Sequence, residues 1–192
     1  CLEFLSSTKL FSFVSNRIKA ISGRLFNDLK SNVDTLHLNH NLISNLEFLR
    51  GIQFKKLMNL DLSNNLIDNL RKTDFEDVKN LLYLSIGCNR IKNIDDQFFL
   101  ALNLIHLNIS NISLSTKIEI GNVEEFDLSE NRIGNLSFLD ETMNFTKLYL
   151  SNVNLNFETL NFSFYPNLVR LDLSGNRDDR NFTFHNLRSL EL

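Results

Sequence analysis

Apolar positions along the chain alternate for a few residues, break at a polar turn, and resume with the same spacing. Read from Leu36 the phrase is LHLNHNLI. It returns as LDLSNNLI from Leu60, LSIGCNRI from Leu84, FDLSENRI from Phe126 and LDLSGNRD from Leu171. The shared frame is L-x-x-L-x-L-x-x-N-x-L/I, and its period-two alternation predicts a short strand in every copy. Leu60 and Leu62, or Leu171 and Leu173, then point inward, while the residue between them points out. Copies start at Val33, Leu57, Leu81, Leu104, Val123, Phe145, Leu168 and Leu187, with a degenerate first copy at Thr8 carrying Phe11, Phe13, Asn16 and Ile18. Steps of about 24 residues in the first half shorten to roughly 19 to 23 in the second, which stacked coils tolerate when the lost residues come from the outer arc.

After each strand an Asn recurs: Asn16, Asn41, Asn65, Asn89, Asn131 and Asn176. A short side chain with one acceptor and two donor hydrogens can satisfy buried backbone groups of its own coil and of the neighbour, so these positions are expected to form a ladder. Ile112 and Val153 occupy the same position in two coils, and local deviations are expected there. The outer arc carries a second apolar set, including Ile18, Ile21, Phe26 and Leu29 in the first copy. Ile67, Leu70, Phe75 and Val78 follow in the third, and Ile91, Ile94, Phe99 and Leu102 in the fourth. The phenylalanines are expected to form a buried spine.

The frame is that of the leucine-rich repeat, and its segment lengths and F-x-x-L arc resemble the typical extracellular class. That class includes Toll-type receptor ectodomains, small matrix proteoglycans and secreted insect immune proteins. One departure is the missing L-P of the arc, since the only proline is Pro166. The resemblance implies an α/β solenoid: a leucine-rich-repeat horseshoe with a parallel sheet on the concave face and irregular loops, short 3-10 or helical turns on the convex face. Residues 1–192 are expected to form one solenoid of about eight coils plus a partial last one. A first residue that is Cys and a last segment, LRSLEL, that starts another strand read as a fragment lacking one or both caps. The resemblance also implies a non-enzymatic recognition module without cofactors. Such a module binds a protein ligand or co-receptor, or in some members a lipid or glycan, through its concave or lateral surface, in innate immunity, with homo- or heterodimerisation open. The expected location is extracellular, as a secreted protein or a receptor ectodomain. Two rival readings are a matrix protein acting by self-association and an intracellular scaffold.

Composition narrows the classes. With 43% apolar residues in 192, core material is ample, and the net charge of −3 without a basic run argues against a nucleic-acid partner. No apolar stretch approaches the roughly 20 residues of a membrane span. Cys1 and Cys88 show no metal-knuckle or disulfide-framework spacing. No G-x-S-x-G, H-E-x-x-H, P-loop or dinucleotide fingerprint occurs, and His37 and His40 have no carboxylate or thiol at ligand spacing, so neither catalysis nor a metal site is expected.

Stacking in register makes equal repeat positions neighbours. The position before the second leucine reads Thr35, Asn59, Tyr83, His106, Glu125, Lys147 and Arg170. The outward position between the inward pair reads His37, Asp61, Ser85, Asn108, Asp127, Tyr149 and Asp172. The aromatic and charged stretch Tyr83, His106, Glu125, Asp127, Lys147, Tyr149, Arg170 and Asp172 is the candidate partner-binding surface. The competing reading is that these charges merely pair across strands and keep the face soluble. Six N-x-S/T sequons occur, where chance placement of the chain's 28 Asn and 26 Ser plus Thr predicts roughly four. Asn135, Asn144, Asn161 and Asn181 are the candidate glycosylation sites. Asn108 and Asn111 complete the set, and a glycan on Asn108 would obstruct the proposed face.

Overall fold

Leu60 lies beside Leu84 in a row that continues through Phe11, Leu36, Leu107, Phe126, Leu148 and Leu171, one residue per coil. A computed structural model describes residues 7–26, 32–51, 54–114, 118–133, 143–155 and 161–176. In chain order the strands are β1 (Leu10–Ser12), β2 (Thr35–His37), β3 (Asn59–Asp61), β4 (Asn69–Leu70), β5 (Tyr83–Ser85), β6 (Asn93–Ile94), β7 (His106–Asn108), β8 (Glu125–Asp127), β9 (Lys147–Tyr149) and β10 (Arg170–Asp172). Eight of them form one parallel sheet in the order β1-β2-β3-β5-β7-β8-β9-β10, while β4 and β6 pair separately on the outer arc. Each coil thus adds one strand beside the last, which is the expected solenoid.

The frame's inward residues build the core. Leu36, Leu38, Leu60, Leu62, Leu148 and Leu150 are fully buried, and one continuous apolar cluster runs from Phe11 to Leu171. Helical structure is scarce among the described residues: one short helix, α1 (Lys72–Phe75), and 3-10 turns at Gly23–Phe26, Glu47–Leu49, Phe99–Ala101 and Phe162–Phe164. The phenylalanine spine differs from a simple one-per-coil stack. Phe26 packs against both Phe48 and Phe54, while Phe75 meets Phe98 edge-on at 5.1 Å and Phe98 meets Phe99 at 5.0 Å. The coils of Phe48 and Phe98 each contribute two rings, and the coil of Phe75 between them contributes one. Leu29 lies outside the described residues, as do the strand expected near Leu187 and Cys1. One buried carboxylate on the arc, Asp74, accepts from Arg50 Nε at 2.5 Å.

The Asn ladder forms with a repeated geometry. Asn65 Nδ2 donates to the carbonyls of Leu62 in its own coil and Leu38 in the preceding one, both at 3.0 Å, and its Oδ1 accepts from Ile43 N–H at 2.9 Å. Asn41, Asn89, Asn131 and Asn176 repeat the pattern. Asn16 is exposed and, among the described residues, bonds to Phe13 and Val14 of its own coil. Every described coil also leaves its strand through a residue in the left-handed region just ahead of the ladder position: Ser15, His40, Asn64, Cys88, Asn111, Glu130, Asn152 and Gly175. Only one of these is glycine, and this conformation costs a side-chain-bearing residue roughly 1–2 kcal/mol. Bonds made to neighbouring coils therefore impose the turn, which explains why no glycine pattern announces it.

The expected deviations at Ile112 and Val153 are present. Both side chains are buried, and the next residues, Ser113 and Asn154, also take positive φ. This second left-handed residue bends the chain so that two amides converge on the following Asn. Ile112 N–H and Leu114 N–H donate to Asn131, and Val153 N–H and Leu155 N–H donate to Asn176.

Candidate interaction face

The sheet presents its solvent face as two rows set by the strand register, because Tyr83 pairs with His106, His106 with Glu125, Glu125 with Lys147 and Lys147 with Arg170. Side chains in this stretch touch one another. The Tyr83 ring stacks on the His106 ring at 4.3 Å, and His106 Nδ1 lies 3.0 Å from Glu125 Oε2. Lys147 Nζ donates to the same Oε2 at 2.8 Å, Tyr149 Oη donates to Oε1 at 3.5 Å, and the Arg170 guanidinium stands 5.6 Å above the Tyr149 ring. Six of the eight expected face residues therefore form one connected array with Glu125 at its hub.

Asp127 and Asp172 sit in the second row but serve their own turns. Each carboxylate accepts from the backbone N–H two residues on, Ser129 and Ser174 respectively, at 2.9 Å. Asp61 does the same with Ser63, and Asn108 with Ser110. This is the Asx-turn role that a short polar side chain at a strand end fills, and it explains the repeated L-D-L-S phrase without a ligand.

Electrostatics follow from the hub. Partial burial pushes the Glu125 carboxyl up, but the hydrogen bond and charge of Lys147, the charge of His106 and the Tyr149 hydroxyl outweigh it and hold the group below its ordinary range. Lys147 is raised, through its bond to and attraction by Glu125. The Tyr149 phenol is raised by burial first and by the nearby carboxylate second. Tyr83, His106, Glu125 and Tyr149 wall an open depression of about 420 Å³ that reaches Asp61 and His37. A larger hollow of about 870 Å³ lies on the arc, lined among the described residues by Ile91–Phe99, Ile112–Leu114, Ile118 and Glu119. It is remote from the array.

A third row was not singled out in the sequence. One residue ahead of each strand, Asp34, Met58, Leu82, Ile105, Glu124, Thr146 and Val169 form a continuous backbone ladder in which each N–H donates to the preceding carbonyl at 2.8–2.9 Å. Met58 is 42% exposed, Leu82 and Ile105 are half-buried, and the neighbouring Tyr83 is 39% exposed. The signal was available one position earlier in the frame, where three successive coils carry an aliphatic residue.

Among the sequons, Asn161 is exposed and caps the 3-10 turn at Phe162–Phe164 by accepting from Ser163 N–H at 3.1 Å. Asn144 is exposed at the approach to β9, donating to Asn122 at 2.7 Å and accepting from Asn167 at 3.4 Å. Asn108 lies mid-sheet, and Asn135 and Asn181 lie outside the described residues. Among the described residues no group of three or more His, Cys, Asp or Glu is placed to hold a metal, and no helix is long and apolar enough to cross a membrane.

Residues 55–114 match the family described as leucine rich repeat. Comparison with curated protein sequences finds no match. Among solved structures the chain is similar to human 5T4 (Wnt-activated inhibitory factor 1, trophoblast glycoprotein), with a TM-score of 0.70 and 20% identity over 92% of this chain and 69% of that one. It is also similar to the APL1 leucine-rich repeat domain, with a TM-score of 0.64 and 23% identity over 91% of this chain and 51% of that one. A third similar structure is the TLR13-ssRNA13 complex, with a TM-score of 0.66 and 21% identity over 90% and 27% of the two chains. The chain thus spans about half of the APL1 domain and about a quarter of the TLR13 chain, and the likeness to all three is one of fold.

Proposed function

We propose that this chain, which folds as a leucine-rich-repeat solenoid and matches that family over residues 55–114, is a non-enzymatic recognition module which binds a partner protein through the solvent face of its sheet. Tyr83, His106, Glu125, Lys147, Tyr149 and Arg170 form the contact surface. The observation that carries the reading is their mutual engagement: a stack, hydrogen bonds from Lys147 and Tyr149, a His106–Glu125 contact and a cation over a ring fix six side chains in one array. An array already ordered gives up little side-chain entropy on binding, and it joins the residue types enriched at interface hot spots. Cross-strand pairing for solubility alone requires neither the Tyr83 stack nor the Arg170 contact. Asp127 and Asp172 contribute as turn caps at the rim.

The same proposal places the chain outside the cell, as part of a secreted protein or a receptor ectodomain, with glycans on Asn144 and Asn161 as well as on Asn135 and Asn181. A role in innate immune recognition rests on the resemblance of the repeat to Toll-type receptor ectodomains and secreted insect immune proteins. A protein partner is preferred to a nucleic acid because Lys147 is engaged by Glu125 and the array holds as its other permanent cation Arg170 alone.

The test uses the chain expressed through a secretory pathway to select binders from a displayed library of extracellular protein domains. Tyr83→Ala combined with Tyr149→Ala should weaken the selected binders at least tenfold while thermal unfolding stays unchanged. Undiminished affinity would remove this face from consideration.

A further inference from the structure

The row ahead of the strands has a chemistry of its own. Lys9, Asp34, Glu124 and Thr146 occupy its position in four coils and Val169 in the last described one, while the three consecutive coils between Asp34 and Glu124 carry Met58, Leu82 and Ile105. Hydrogen bonds from Leu82 N–H to Met58 C=O and from Ile105 N–H to Leu82 C=O hold these residues at the spacing of a parallel ladder, about 4.8 Å per step. None of the three is buried. Tyr83 and His106 stack immediately beside them and widen the aliphatic line into an apolar patch on the flank of the array.

The end of the patch is charged. Glu124 follows Ile105 in the same ladder, is exposed, and enters no ion pair among the described residues. Its neighbour Glu125 differs in being occupied by His106 and Lys147. The patch therefore offers an apolar floor with one uncompensated carboxylate a single step beyond it. Such a surface rewards a ligand carrying both apolar side chains and a cation.

We propose that Met58, Leu82, Ile105 and Tyr83 with Glu124 form the docking site for an extended or loop segment of the partner protein that presents aliphatic or aromatic side chains followed by a Lys or Arg. This rests on the reading of the sheet face as the contact surface and names the chemistry of what it contacts. Met58 to Glu124 spans three ladder steps, about 14 Å, which an extended segment covers in about four residues.

The experiment selects from a displayed library of random twelve-residue peptides on the full chain, then measures the enriched peptides against variants. Enriched sequences should place an apolar residue about four positions from a Lys or Arg. Leu82→Glu should weaken them at least tenfold, and Glu124→Lys several-fold, with thermal unfolding unchanged. Met58→Glu, at the most exposed position of the line, repeats the test should Leu82→Glu disturb folding. Peptides that resist Leu82→Glu and Met58→Glu but yield to Tyr149→Ala overturn this site and keep the sheet-face reading. Peptides indifferent to all three substitutions overturn both. Enrichment of acidic peptides, or of none, overturns the docking site.

Discussion

Asn131 takes two amide hydrogens from the coil of Ile112, those of Ile112 itself at 3.1 Å and of Leu114 at 3.0 Å, where Asn65 takes one from Ile43 at 2.9 Å. The doubling occurs where the coil lacks its own ladder Asn, and it depends on Ser113 entering the left-handed region. The next coil's carboxamide oxygen thus serves both the amide of the apolar ladder residue and the amide two residues on.

Ladder positions should therefore differ in weight. Asn65→Ala orphans buried groups on two coils, and at about 1–3 kcal/mol for each unsatisfied group it should cost roughly 2–4 kcal/mol. Asn131→Ala orphans one amide more and should cost more than Asn65→Ala. Asn16→Ala, exposed and, among the described residues, bonded within its coil, should cost less than about 1 kcal/mol. Urea unfolding of the three variants checks the order, and equal losses would contradict it.

Gly87 stands where five other coils have Ser, and a repeat-consensus argument would favour Gly87→Ser. A Cβ there would come within 2.6 Å of Ser110 Oγ, 2.7 Å of Asn108 Oδ1 and 3.1 Å of the Ser110 carbonyl. Those atoms form the Asn108–Ser110 turn, so the turn must shift to admit the side chain. Gly87→Ser should destabilise by about 1–3 kcal/mol, the usual range for overpacking. A raised melting temperature in calorimetry would show that the turn yields freely.

Glu125 sets a pH dependence of known sign. A carboxyl held below its ordinary 4.5 contributes stability above that value and loses it as pH falls through the depressed one. Lys147 is raised above 10.5 and Tyr149 above 10.0, so their contributions are present below those values and fade as pH rises beyond them. Glu125→Gln should flatten the acid limb of a melting-temperature profile and soften the alkaline one. The change is small, because the Glu125–Lys147 pair is accessible to solvent. Superimposable profiles would mean that the hub is not formed in solution.

Glycan occupancy separates the sequons. In a secretory host, Asn144→Gln and Asn161→Gln should each remove one mobility step on gels, because both side chains stand exposed on the periphery. Asn108→Gln should leave mobility unchanged. Occupancy of Asn108 would place a glycan over the Tyr83–Arg170 array and exclude a protein partner from it.

The periodicity of the chain alone determined the parallel sheet, its register and the membership of its rows, because a frame with fixed spacing assigns each residue a coil and a face before any contact is known. It also located the ladder and the two coils that lack it, since an amide and a sec-butyl or isopropyl group cannot satisfy the same backbone atoms. Contact between coils decided the rest. The left-handed turns at Cys88, Glu130 and their equivalents carry no glycine signature, because hydrogen bonds to the coil some 20 residues away hold them. Which face residues join was equally invisible: Asp127 turns to Ser129 while Glu125 gathers His106, Lys147 and Tyr149. Both are acidic residues on one strand, and only the neighbours across the sheet select the rotamer. The Met58–Leu82–Ile105 line emerged for the same reason, since position in a repeat specifies which residues are adjacent but not how much of each remains in water once the next coil is in place.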